Sequence, residues 1–111
     1  GRRYSDIIEI AKDQIRKTYM SDEISLNTIA AEVGMSPSYF SSIFSKEMGK
    51  TFVEYLTEIR MDRAKELLMC SSMKTSEIGY EVGYKDPHYF SYIFKKTQNC
   101  TPKEFRARGK E

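Results

Sequence analysis

Part of this chain is written twice. Ile29-Ala30-Ala31-Glu32-Val33-Gly34 is answered by Ile78-Gly79-Tyr80-Glu81-Val82-Gly83. Pro37-Ser38-Tyr39-Phe40-Ser41-Ser42-Ile43-Phe44-Ser45-Lys46 is answered by Pro87-His88-Tyr89-Phe90-Ser91-Tyr92-Ile93-Phe94-Lys95-Lys96, and Thr51-Phe52-Val53-Glu54 by Thr101-Pro102-Lys103-Glu104. The second copy carries one extra residue before its proline, and roughly half of about 27 aligned positions are identical. A duplication of this kind means that one supersecondary unit is used twice. Two copies without capping repeats do not make a solenoid, so the pattern points to two lobes.

Each copy reads as helix, tight turn, helix. Ser25 caps a short helix carrying Leu26, Ile29, Ala30 and Val33, and Gly34 ends it where a left-handed residue is needed. Ser36-Pro37 opens the next helix with a capping hydroxyl and a first-turn proline; it runs to about Met48 and stops at Gly49. Between the copies lies Phe52 to Cys70, free of Gly and Pro, with Thr51 and Glu54 in capping-box spacing. Its apolar residues form two stripes. Phe52, Tyr55, Leu56 and Ile59 share one face, and Ala64, Leu67 and Leu68 lie roughly a quarter turn away. An ordinary core helix of a single bundle would keep one stripe; this one is expected to pack its halves on two bodies, over a length of roughly 28 Å. Upstream, Ile8, Ala11, Ile15 and Tyr19 predict an amphipathic helix over 4–20, with Ser5 as its cap and Asp6 and Glu9 near its positive end. No strand pattern occurs. The expected fold is all-α, about seven helices in two helix-turn-helix lobes joined by the long helix. Lobe one covers 4–51 with its helix-turn-helix at 25–49, the linker helix covers 52–70, and lobe two covers 71–108 with its helix-turn-helix at 75–99.

Composition narrows the function classes. With 111 residues, 40% hydrophobic and 13% aromatic, the chain can fill one compact domain or two very small lobes. Net charge is only +2, but from Lys95 onward Lys95, Lys96, Lys103, Arg106, Arg108 and Lys110 face Glu104 and Glu111 alone. Cys70 and Cys100 match no disulfide scaffold, metal site or redox motif and read as free thiols in a reducing cytoplasm. No run is apolar enough for a membrane span and no signal-peptide pattern is present, so no membrane partner is expected. His88 is the only histidine, and neither an acid/base pair, a nucleophile–base set nor a phosphate loop is legible, so the chain is not read as an enzyme and needs no cofactor or metal.

In a helix-turn-helix the second helix lies in the major groove of double-stranded DNA and reads bases. Helical spacing turns Phe40, Ile43 and Phe44 inward and Ser38, Ser41, Ser42 and Ser45 outward; in the second copy Phe90, Ile93 and Phe94 go inward and His88, Ser91, Tyr92 and Lys95 outward. Neither outer face holds an acidic residue although the chain has 16. A helical protein-interaction module without DNA binding, the competing class, would carry acidic or large apolar residues there. Lys46 and Lys96 flank these faces, where phosphates would lie; Lys50, Lys95 and Lys103 are further phosphate candidates, with the helix N-termini at Ser36 and Asp86. Tyr39 and Tyr89 are placed nearer the core, and Arg60 is assigned a structural role, such as an ion pair tying helix to lobe, ahead of a DNA contact.

These residues together resemble the DNA-binding domain of the AraC/XylS transcription regulators. The resemblance rests on Ser25-Leu26, Ile29-Ala30, Gly34-Met35-Ser36-Pro37-Ser38-Tyr39-Phe40, Lys46-Glu47-Met48-Gly49, Phe52-Val53-Glu54-Tyr55-Leu56, Arg60, Ala64-Lys65 and Leu67-Leu68. It continues through Phe44, Glu77-Ile78, Val82-Gly83-Tyr84, Asp86, Tyr89-Phe90-Ser91, Phe94-Lys95-Lys96, Thr101-Pro102 and Phe105-Arg106, and is most similar to the output domains of YesN-like response regulators. It implies base reading by Ser38, Ser41 and Ser42 and by His88, Ser91 and Tyr92, with the two recognition helices in adjacent major-groove segments on one DNA face; the long helix is expected to hold them one DNA turn apart, about 34 Å. It also implies transcriptional control through RNA polymerase and a sensor or receiver domain elsewhere on a longer chain. Asn99 replaces the usual glycine after the last recognition helix, and Gly79 replaces a small residue, usually Ala, which predicts a looser second lobe.

Overall fold

A computed structural model describes residues 2–109, the side chain of Arg2 excepted. Among them are seven helices and no strand: α1 (Arg2–Thr18), α2 (Leu26–Glu32), α3 (Pro37–Met48), α4 (Phe52–Cys70), α5 (Thr75–Glu81), α6 (Pro87–Gln98) and α7 (Pro102–Arg108). The chain forms two compact units. One comprises Gly1–Tyr19 with Glu23–Ile59, the other Met20–Asp22 with Arg60–Glu111. Every residue of α4 belongs to one unit or the other, and the division falls between Ile59 and Arg60.

The two stripes of α4 account for this. Phe52, Tyr55 and Leu56 are buried with Ile8 and Ile15 of α1, Ile29 of α2 and Phe40 and Phe44 of α3. Phe44 is the hub of that core, with ring centroids 5.6 Å from Phe40, 6.0 Å from Phe52 and 5.7 Å from Tyr55. Such spacings suit edge-to-face rings, which add to plain burial. Met61, Ala64 and Leu68 are buried instead with Ile78 and Val82, with Phe90 and Phe94 of α6, and with Cys100. Phe105 of α7 closes this second core, 5.7 Å from Phe94.

Local chemistry sets the ends of the elements. The Thr51 hydroxyl accepts the Glu54 N–H at 3.1 Å while the Glu54 carboxylate accepts the Thr51 N–H at 2.9 Å. Thr101 and Glu104 repeat the arrangement at 3.0 and 2.8 Å. These reciprocal bonds hold both carboxyls below the usual carboxylate range. Asn99 follows α6 in the left-handed conformation at φ 64°, as Gly49 follows α3 at φ 70°, so the substitution preserves the turn.

Two expectations are corrected. Ser5 does not cap α1: the helix begins at Arg2, the Ser5 hydroxyl lies 3.4 Å from the Glu47 carboxylate, and no acidic residue occupies the first turn. Gly79, expected only to loosen the second unit, is buried against α6. A Cβ there would stand 3.0 Å from Cδ2 and 3.1 Å from Cβ of Phe90, so α6 lies tight against α5 where the side chain is missing. The backbone entropy that glycine forfeits is traded for this close contact.

Candidate nucleic-acid interface

Both helix-turn-helix turns are closed by backbone alone. Gly34 N–H donates to Ala31 O at 3.1 Å and Met35 N–H to Ala30 O at 2.9 Å; Gly83 N–H donates to Tyr80 O at 3.1 Å and Tyr84 N–H to Gly79 O at 2.9 Å. This is the Schellman pair of bonds, and it requires the left-handed residue that Gly34 (φ 73°) and Gly83 (φ 112°) supply. The second helix of each copy is then started by a side chain. Ser36 Oγ accepts the Tyr39 N–H at 3.2 Å, and Asp86 Oδ1 accepts the His88 N–H at 2.9 Å. The acid of Asp86 is thus engaged as a cap.

The residues expected to read bases occupy the faces assigned to them. Ser38 and Ser42 are exposed and Ser41 and Ser45 half-buried on α3; His88, Tyr92 and Lys95 are exposed and Ser91 half-buried on α6. Phe40, Phe44, Phe90 and Phe94 anchor the opposite sides with no exposure at all. The acid of α3, Glu47, projects half a turn from Ser38 by helical spacing, and α6 contains none. Each unit therefore presents a polar, acid-free ridge on a buried aromatic base.

Among the lysines, Lys46, Lys95, Lys96 and Lys103 are exposed. Lys50 is half-buried and held by both carboxylate oxygens of Glu58, at 2.8 and 3.1 Å, a hydrogen bond that raises its pKa. Arg106 is likewise occupied: its Nε donates to Leu68 O at 2.9 Å and its Nη2 to Ser71 O at 3.3 Å, satisfying carbonyls at the end of α4. Lys110 and Glu111 lie outside the described residues. Arg60 has the structural role expected of it. It is buried, donates to Ser21 O at 2.9 Å and lies over the Tyr84 ring at 4.9 Å.

Tyr39 and Tyr89 are a correction, being 45% and 52% exposed rather than core-facing. They stand at the third helical position, where side chains border the reading face. The Tyr39 hydroxyl donates to that of Tyr4 at 2.6 Å, and this bond raises its pKa. Tyr89 packs on Tyr84 and Tyr92, with centroids 5.9 and 6.3 Å away. Periodicity puts both residues on the boundary between core and ridge, and only tertiary contacts decide which way such a ring turns.

Two helix-turn-helix units in one chain, each with a second helix raised outward on an aromatic base, define a tandem helix-turn-helix DNA-binding domain. Comparison with known proteins narrows the class: a family model described as a helix-turn-helix domain matches residues 29–108. The C-terminal domain of AraT, a response regulator from Geobacillus stearothermophilus, is 35% identical and superposes with a TM-score of 0.90 over 92% of this chain and 84% of that one. The C-terminal domain of the response regulator YesN from Fusobacterium nucleatum is also 35% identical, with a TM-score of 0.87 over 88% and 95%. The arabinose operon regulatory protein of Escherichia coli is 34% identical over 94 residues, 80% of this chain and 32% of its own length. The chain belongs to the AraC/XylS family of transcription regulators, as its DNA-binding domain. It spans 58%, 21% and 31% of the length of the first three curated relatives it matches.

Proposed function

We propose that α3 and α6 are the recognition helices and that they divide the work of operator binding unequally. Both enter adjacent major-groove segments of double-stranded DNA. Ser38, Ser41 and Ser42 meet bases in one segment and His88, Ser91 and Tyr92 in the other. Lys46, Lys95, Lys96 and Lys103 neutralise phosphates, joined by Lys50 when it leaves Glu58. The observation that carries this reading is the exposed, acid-free outer face found in both copies. The domain serves as the output end of a longer cytoplasmic regulator, controlled by a sensor or receiver domain and acting on RNA polymerase. Its likeness to response-regulator C-terminal domains supports that role.

The unequal division follows from side-chain chemistry. Strong direct readout comes from bidentate Arg or Lys on guanine and Asn or Gln on adenine, each worth about 1–3 kcal/mol of discrimination. The α3 face has none of these. Serine is short, both donates and accepts, and fits several bases, often through water. His88 and Tyr92 can bond purines and pack on thymine methyls. Binding to a library of randomised duplexes tests the division. Tyr92→Ala or His88→Ala should flatten base preference over one short subsite, whereas Ser42→Ala should weaken binding modestly and leave preference intact. Loss of specificity on Ser41→Ala or Ser42→Ala, with Tyr92→Ala neutral, would reverse the assignment. A domain that binds no duplex at all would favour the protein-interaction module.

A further inference from the structure

An unbroken row of rings and cations in contact runs from the core of the second unit to its outer face. It starts at Arg60, buried on α4 and bonded to Ser21 O. The guanidinium lies 4.9 Å from the centroid of Tyr84, itself only 9% exposed. Tyr84 meets Tyr89 at 5.9 Å, Tyr89 meets Tyr92 at 6.3 Å with the rings 35° from parallel, and Lys96 Nζ stands 5.8 Å over Tyr92. Tyr89, Tyr92 and Lys96 are spaced i, i+3 and i+7 on α6, so they form one ridge of the helix. Tilted rings with centroids 4.5–7 Å apart attract, as does a cation within about 6 Å of a ring. The row is therefore cohesive along its whole length, and its inner end is fixed by burial.

We infer that Tyr89 is a positioning residue for sequence readout: it holds Tyr92 in the orientation that meets a base. The inference rests on the reading of Tyr92 as a base contact. Tyr89 is half exposed, so burial does not explain its place. Tyr92 is 58% exposed, and a ring so placed samples several rotamers unless something holds it. Fixing a free side chain on binding costs roughly two- to twelve-fold in affinity. A ring already clamped between Tyr89 and Lys96 avoids most of that cost, and it enforces one hydrogen-bond direction, which is what discrimination between bases requires. On α3 the equivalent tyrosine, Tyr39, is turned to Tyr4 instead, and the residue at the Tyr92 position is Ser42.

The test has one arm without DNA and one with it. In the free domain, the Tyr92 ring resonances should carry ring-current shifts from Tyr89. Tyr89→Ala should move them toward exposed-tyrosine values, and Tyr89→Phe should leave them nearly unchanged. On randomised duplexes, Tyr89→Ala should reduce discrimination at the Tyr92 subsite about 3- to 10-fold with little change in non-specific binding, and Tyr89→Phe should restore it. Unmoved Tyr92 resonances in Tyr89→Ala overturn the inference and leave the base-reading assignment standing. Loss of discrimination in Tyr89→Phe as great as in Tyr89→Ala also overturns it, because the hydroxyl would then be acting directly. If Tyr92→Ala keeps full base preference, the assignment of Tyr92 fails and the inference fails with it.

Discussion

The two lobes share their turn and helix-start bonds and differ in what they build on them. Their turns close with the same bonds at the same lengths, and their third helices start with the same Thr–Glu box. They diverge at two places. Where the first lobe has Ala30, the second has Gly79 pressed against Phe90. Where the first has a low serine surface beside a Tyr4–Tyr39 contact, the second has an aromatic and cationic ridge rooted at Arg60. A helix-turn-helix is thus specified by its caps, its turn and its inward phenylalanines. The residue where its helices meet and the relief of its outer face differ between the two copies.

The contrast can be tested, beginning with the largest effect. Phe40→Ala and Phe90→Ala should each cost about 3–5 kcal/mol in urea unfolding. The loss at Phe90 should be the greater, because Gly79 offers no methyl to refill the space. Equal losses would show that the glycine–ring contact adds nothing. Gly79→Ala should destabilise by about 1–3 kcal/mol through overpacking, despite alanine's better helix propensity, while Ala30→Gly should cost about 0.5–1 kcal/mol. A stabilising Gly79→Ala would remove the packing difference between the lobes.

A smaller effect concerns phosphate neutralisation. If Lys50 stays with Glu58, four lysines act and log K should fall with log salt at a slope of about −3.6; Glu58→Gln releases a fifth and should steepen it to about −4.5. A slope that does not change assigns Lys50 to the ion pair in the complex as well. The smallest effect is one in which the lobes should agree. Glu54 and Glu104 both titrate below the ordinary 4.5. A depressed carboxylate contributes stability that is complete above pH 4.5 and is lost as pH falls through the lowered value. Carboxyl NMR titration should find both shifts, and Thr51→Val or Thr101→Val should reduce the corresponding one.

Much of this was legible in the sequence because short-range chemistry decides it. The bounds of α4, the caps Ser25, Ser36, Thr51 and Thr101, and the left-handed Asn99 all follow from residues within five positions of one another. The two stripes of α4 gave the two cores, since periodicity alone reports which side of a helix is apolar. What escaped depends on partners far along the chain. Arg106 looked like part of a basic tail, yet its acceptors lie 35 and 38 residues away. Tyr39 and Tyr89 sit at the edge of an amphipathic pattern, where helical spacing does not decide which way a ring turns. Intrinsic propensity counts against Gly79 in a helix, whereas its place depends on Phe90 across the crossing. Ser5 had the right chemistry for a cap, but α1 starts earlier.

The turn bonds have an evolutionary consequence. Because Gly34 with Met35, and Gly83 with Tyr84, close their turns through main-chain groups, the identity of the outward residues never enters the construction of the motif. Binding preference can then drift by substitution without passing through a misfolded ancestor, and one half of a duplicated gene can specialise while the other keeps grip on the duplex. The route from one lobe's character to the other's is short. Tyr39 already stands where Tyr89 does and Lys46 where Lys96 does, so a ring at Ser42 and another at Met35 would supply the aromatic part of such a ridge, though not the buried arginine at its root.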